Sequence, residues 1–93
     1  MIQPNFVITR RLSEAVNKNA DTLAAVNAAV SRFCNEDWGN IDQEDKEANK
    51  ADLTARDGHV LARYETPAGD IYINLEFLPP EENIACIMFC EEY

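Results

Sequence analysis

Apolar residues recur along this chain at two different intervals, and the interval changes near Gly58. In "DTLAAVNAAVSRFC", Leu23, Val26, Val30 and Phe33 fall at i, i+3, i+7 and i+10, one stripe of an amphipathic helix. Asp21 stands where an N-cap is needed, and small alanines beside the stripe allow close approach to a sheet. Upstream, "RRLSEAVNKN" places Leu12, Ala15 and Val16 at helical spacing before Asn17 and Asn19. The short β-prone run "FVIT", Phe6 to Thr9, reads either as an edge strand or as the lead-in to that helix. Downstream, Asp42 is predicted to cap a third helix running to about Ala55. Glu44 and Asp45 occupy its first turn, where the helix dipole favours negative charge. Ala48, Ala51 and Ala55 give that helix a narrow small-residue face. Trp38, in the polar connection broken by Gly39, is the large apolar anchor predicted to hold this loop on the core.

Beyond Gly58 the period is two. "HVLARYE", "DIYINLEF" and "NIACIMFC" read as three strands, and Ile71, Ile73, Leu75 and Phe77 alternate with Tyr72, Asn74 and Glu76. "TPAG" sets Pro67 and Gly69 for a tight hairpin turn, and the prolines of "LPPEEN" stop the next ladder. The last strand is apolar on both faces, the mark of a central or doubly covered strand. Helices first and a meander afterwards predict one α+β domain over residues 1–93. Two to three N-terminal helices pack on a three-stranded antiparallel meander, with residues 6–9 as an added edge strand if they are extended.

Charge changes the picture more than composition does. The net charge is −9, but residues 1–35 carry four basic side chains against two acidic ones. Residues 36–57 hold eight carboxylates against three bases, and no lysine, arginine or histidine follows Thr66. A phosphate backbone needs a basic footprint, so direct nucleic-acid binding is disfavoured. An anionic membrane is disfavoured for the same reason, and no apolar run reaches the roughly 18 residues of a spanning helix. The N-terminus lacks the basic-then-apolar order of a signal peptide, and three cysteines make no paired framework, so a cytoplasmic location is expected.

The chemistry-bearing residues are few. Cys34, Cys86, Cys90 and His59 would make a zinc set only if "ACIMFC" were helical. On a strand, residues four apart are separated by about 13 Å. "DWGNIDQEDKE" has the acids of a calcium loop without its register. His59 is the single histidine, and no nucleophile elbow, phosphate loop or dinucleotide fingerprint occurs. The expectation is a protein without enzymatic activity, metal or cofactor.

Several short stretches resemble one family. Asp37-Trp38-Gly39, then Glu44, Asp45 and Asn49, then Tyr64, Thr66, Pro67 and Gly69, and the closing Glu91-Glu92-Tyr93 are similar to motifs of small plasmid-related proteins of bacterial conjugative and phage-like elements. Tyr72 and Cys90 stand where that family has tryptophan and proline, and "FLPPEEN" replaces its usual acidic loop. The resemblance implies no reaction. It implies a mobile-element setting, in which inhibitors of host defence and mimics of nucleic acid are common.

Together these readings predict a small acidic protein-binding module whose partner presents a basic surface, such as a nucleic-acid-binding protein. The candidate contacts are Glu44, Asp45, Glu47 and Asp52 on the third helix, with Glu81, Glu82, Glu91 and Glu92. The alternative is a small homodimeric domain that uses an exposed strand and has no dedicated partner.

Overall fold

A computed structural model describes residues 3–78 and 82–93. Its elements are β1 (Asn5–Ile8), α1 (Arg10–Lys18), α2 (Ala20–Cys34), α3 (Gln43–Ala55), β2 (His59–Tyr64), β3 (Ile71–Leu78) and β4 (Glu82–Phe89), followed by a 3₁₀ turn at Cys90–Glu92. The class is α+β, as the change of period predicts. The sheet has four strands in the order β1-β4-β3-β2. β2, β3 and β4 form the expected antiparallel meander, but β1 joins it parallel to β4, with Val7 beside Cys86.

The helices start where side chains can satisfy orphan amides. Thr9 caps α1 by accepting from the Leu12 N–H, and Asp42 caps α3 by accepting from the Asp45 N–H. For α2 the cap is Asn19, whose side-chain oxygen accepts from Asp21 and Thr22; Asp21 lies inside the first turn instead. The short asparagine linker allows α2 to begin at Ala20, one residue before the predicted cap itself. The helix therefore buries Thr22, Val26, Ala29 and Phe33, while Leu23 is 43% exposed. The apolar stripe was offset by part of a turn because Thr22 and Ala29 are small enough to lie against the sheet.

One face of the sheet meets the helices. Val60, Ala62 and Tyr64 of β2, Ile71, Ile73 and Leu75 of β3, and Ala85, Ile87 and Phe89 of β4 join Leu12, Val26, Ala29 and Phe33 in a single core. Trp38 closes it as expected, 6% exposed and edge-on to Phe33 at 5.2 Å between ring centroids. Among the described residues no element covers the opposite face. Leu61, Tyr72, Asn74, Ile84, Cys86 and Met88 are half-buried by their own neighbours, so β4 is central in the sheet but covered on one side only.

The largest departure from the sequence reading is how α3 docks. Ala48, Ala51 and Ala55 face solvent, and Asn49 is the buried residue of the helix. β2 is an edge strand, and its residue Leu61 turns its peptide groups outward. The Asn49 amide nitrogen donates to the Leu61 carbonyl at 2.8 Å, and its oxygen accepts from the Leu61 N–H at 3.1 Å. Two residues on, the Arg63 N–H donates to the Trp38 carbonyl at 3.1 Å, and the Asn40 N–H donates to the Arg63 carbonyl at 2.7 Å. One asparagine side chain and one short parallel bridge at Gly39 thus stand in for a fifth strand. Gly39, at φ +72°, cannot be replaced, because a Cβ there would overlap the Arg63 carbonyl oxygen and the Tyr64 ring.

Asn49→Ala leaves both Leu61 peptide groups without a partner and should destabilise the fold by about 1–3 kcal/mol. Ala51→Ser on the exposed side of the same helix should cost well under ~1 kcal/mol. Urea unfolding of the two variants checks the contrast; equal losses would mean that the asparagine does not close the edge.

Candidate functional site

The eight carboxylates singled out from the sequence do not form one surface. Glu81 lies outside the described residues. Glu82 opens β4 and Glu91 follows its end, so the strand separates them by about 26 Å. The two C-terminal acids are also committed internally. Glu92 Oε1 accepts from the Thr9 hydroxyl and from the Phe89 N–H, both at 2.9 Å, tying the 3₁₀ turn to the start of α1. Glu91 is paired with Arg11. Neither is free to meet a partner without giving up an internal contact, Glu92 a part-buried one and Glu91 an exposed ion pair.

The other four stand together on α3, at the β2 edge. Glu44, Asp45 and Glu47 are exposed and Asp52 is half-buried. Helical geometry puts Glu44 and Glu47 on the outward crest and Asp45 and Asp52 along one flank, with Lys46 and Lys50 on the other flank. Among the described residues the ion pairs are Arg10–Glu14, Arg11–Glu91, Arg32–Asp37 and Arg63–Asp70. No α3 carboxylate takes part in them. The described candidates therefore divide by availability: an unpaired group on α3, an exposed Glu82 at the far end of β4, and Glu91 and Glu92, which are engaged within the fold.

Apart from Glu44 and Asp45, most motif residues behind the family resemblance are also structural in this chain. Asp37 receives the Arg32 guanidinium through two hydrogen bonds of 2.8 and 3.2 Å, and the Gly39 N–H donates to it at 3.1 Å. That guanidinium holds the Asp37 carboxyl below the usual carboxylate range, against a smaller opposing effect of burial. The Tyr64 hydroxyl donates to the Asp37 carbonyl at 2.6 Å, and burial pushes its phenol well above the ordinary tyrosine value. Thr66 and Gly69 close the hairpin turn through the Gly69 N–H to Thr66 carbonyl bond at 3.1 Å. Tyr93 packs edge-on against Tyr72.

A depression of about 420 Å³ adjoins this loop, lined by Arg32, Gly39, Asn40, Arg63, Tyr64 and Glu65. Both of its arginines are already engaged, Arg32 by Asp37 and Arg63 by Asp70, so it offers no uncompensated positive charge to an anion.

The thiols do not gather into a reactive centre. Cys34, Cys86 and Cys90 are free and half-buried, and Cys90 lies in the 3₁₀ turn, one residue past the predicted strand's true end. Burial raises the Cys86 thiol, with Glu92 and Glu76 adding to it. Burial also raises Cys90, only partly offset by Arg63. Thiolate is the nucleophilic form, so these environments work against it. His59 faces Glu76 across β2 and β3 and lies two strands, about 10 Å, from β4. Among the described residues no three of His, Cys, Asp or Glu sit close enough to hold a metal ion. No helix among them is long and apolar enough to cross a membrane.

The two apolar faces of "NIACIMFC" signalled that one sheet face needs a cover, and among the described residues that face is open. Its centre is Leu61, Tyr72, Ile84, Cys86 and Met88, edged by Val7 and Tyr93. Comparison with known protein families, curated proteins and solved structures finds no match to this chain.

The Arg32–Asp37 pair carries a pH signature. The folded-state pKa of Asp37 is depressed, so its contribution to stability is full above the ordinary aspartate range and is lost as pH falls through the folded value. Thermal melts from neutral to acid pH should show Asp37→Asn less stable at neutrality and with a shallower acid limb than the parent chain. Parallel limbs would show that the pair contributes nothing.

Proposed function

We propose that this chain is a non-enzymatic protein-binding module whose partner presents a basic surface. The observation that supports it best is the unpaired carboxylate group on α3, Glu44, Asp45, Glu47 and Asp52, standing at one edge of the sheet while the arginines at positions 10, 11, 32 and 63 are consumed elsewhere. Exposed charges of one sign steer an oppositely charged partner and raise the association rate more than the final affinity. Glu44 and Glu47 lie three residues apart on a helix, about 5–6 Å between Cβ atoms, a spacing that lets both meet one cationic strip. The depressed nucleophilicity of Cys86 and Cys90 and the isolation of His59 favour binding over catalysis. A nucleic-acid-binding protein is the fitting partner class, and mimicry of its polyanionic ligand is the role that the mobile-element resemblance implies.

A second reading, a homodimeric domain without a dedicated partner, draws on the uncovered face and open edge of the sheet. Interfaces favour aromatic residues and methionine at their centres, and Tyr72, Met88 and Tyr93 provide both.

The first reading is tested by calorimetric titration with an arginine-rich peptide at increasing salt. Combining Glu44→Gln, Asp45→Asn, Glu47→Gln and Asp52→Asn should weaken binding by about tenfold or more and flatten its salt dependence. Glu91→Gln should leave binding within about twofold. Binding that ignores both salt and the α3 substitutions would rule out this surface as the docking site.

A further inference from the structure

The two edges of the sheet are treated differently. β2 is closed by Asn49 and by the Trp38–Asn40 bridge, whereas no strand or side chain among the described residues pairs with the outer edge of β1. β1 is short, but within the strand it carries none of the other usual protections of an edge. Asn5, Phe6, Val7 and Ile8 include no charge and no proline, and Val7 and Ile8 are 48% and 41% exposed. We propose that β1 pairs antiparallel with β1 of a second copy of this chain, making one continuous sheet across a twofold axis at Val7.

The register follows from the ladder. The Thr9 N–H donates to the Ile87 carbonyl at 3.0 Å, and Val7 is aligned with Cys86. In a parallel pair alternate residues bond to the same neighbour, so Asn5, Val7 and Thr9 turn their peptide groups toward β4. Phe6 and Ile8 turn theirs outward. An antiparallel pair needs outward groups opposite outward groups, with facing side chains on the same side of the sheet. Centring the axis on Val7 meets both conditions. Phe6 of one copy exchanges both hydrogen bonds with Ile8 of the other, and the reverse pair does the same. The two Val7 side chains then meet on the uncovered face, about 4.5–5.5 Å apart at Cβ. The half-exposed Ile8 gains cover from the other copy's Phe6, which already packs on Phe33 in the core.

The self-complementary register selects a second copy as the occupant, and the local charge permits it despite the net −9 of each chain. No carboxylate lies between Gln3 and Arg11, and the acids nearest this edge are engaged, Glu91 by Arg11, Glu14 by Arg10 and Glu92 by Thr9. The acid-rich α3 packs on the opposite edge. Joining two sheets through β1 puts the two α3 helices at the far ends of an eight-stranded sheet, roughly 35 Å apart, several times the screening length of physiological salt. With Arg10 and Arg11 offsetting Glu14 and Glu91, this edge carries less net negative charge than the α3 side, and two such chains meet here with the least repulsion. A four-residue strand makes a small interface, so the dimer forms at micromolar to millimolar concentration.

Sedimentation velocity across that range, with circular dichroism and thermal melts as fold controls, tests the pairing. The parent chain should shift toward the mass of two chains as concentration rises. Val7→Lys, on an exposed side chain, should keep its melting temperature and weaken association by about tenfold or more, since like charges would face each other across the axis. Mixing Val7→Lys with Val7→Glu should restore association, which only direct apposition of the two position-7 side chains explains. A parent chain that stays monomeric to millimolar concentration, a Val7→Lys chain that still dimerises, or a mixture that stays monomeric would each overturn the proposal.

Discussion

The outer edge of β2 carries peptide groups that must find partners, and the way this chain satisfies them organises much of what surrounds the sheet. A buried backbone donor or acceptor left alone costs as much as a core cavity, so an edge strand lying under other structure needs substitutes for a neighbour. Here the substitutes are the Asn49 amide at Leu61 and the Trp38–Asn40 backbone at Arg63. Each anchors a larger piece. Asn49 fixes α3 against the sheet, and the bridge holds the loop in which Trp38 enters the core, Asp37 clamps Arg32, and Gly39 passes beneath Tyr64.

Once the edge is closed in this way, the charge distribution follows. α3 contributes little apolar surface, since Leu53 is its only sizeable apolar residue and is only partly buried. It is held by one asparagine and can spend the rest of its surface on charge. The α3 carboxylates Glu44, Asp45, Glu47 and Asp52 are thereby brought to the β2 edge. At the other side, Arg11 offsets Glu91, and Glu92 keeps its charge but is held by the Thr9 hydroxyl at the β1–α1 corner. The molecule has an acidic edge that is sealed to strands and, among the described residues, a less charged edge that is open to them. The two proposed interactions use these two edges and do not compete for the same residues.

The motif-like residues look different in this light. Asp37-Trp38-Gly39 in a loop, Asn49 within α3, Tyr64 at the end of β2 and Glu92 in the closing turn are polar, aromatic or glycine residues of the kinds often sought as binding residues. In this fold each one closes an edge, caps a turn or fills the core. The surfaces left for recognition are made of less distinctive side chains: glutamates on a helix, and a half-exposed band of Leu61, Tyr72, Ile84 and Met88.

Local pattern determined the meander, the hairpin turn at Thr66–Gly69, the Asp42 cap and the extent of α3, because each depends on spacing or capping within a few residues. It also determined the uneven charge, which is a property of the chain in one dimension. Tertiary structure alone decided that residues 5–8 enter the sheet parallel to β4, because that pairing joins segments about eighty positions apart and leaves no periodic trace. It decided that Thr22 and Asn49, not Leu23 and the α3 alanines, face inward, since helical spacing fixes a stripe only to within part of a turn and an asparagine reads as surface until an unpaired strand lies beside it. It decided, too, which carboxylates are available. A glutamate written near the end of the chain carries the same charge as one on a helix, and only the folded contacts reveal that Thr9 and Arg11 already hold it.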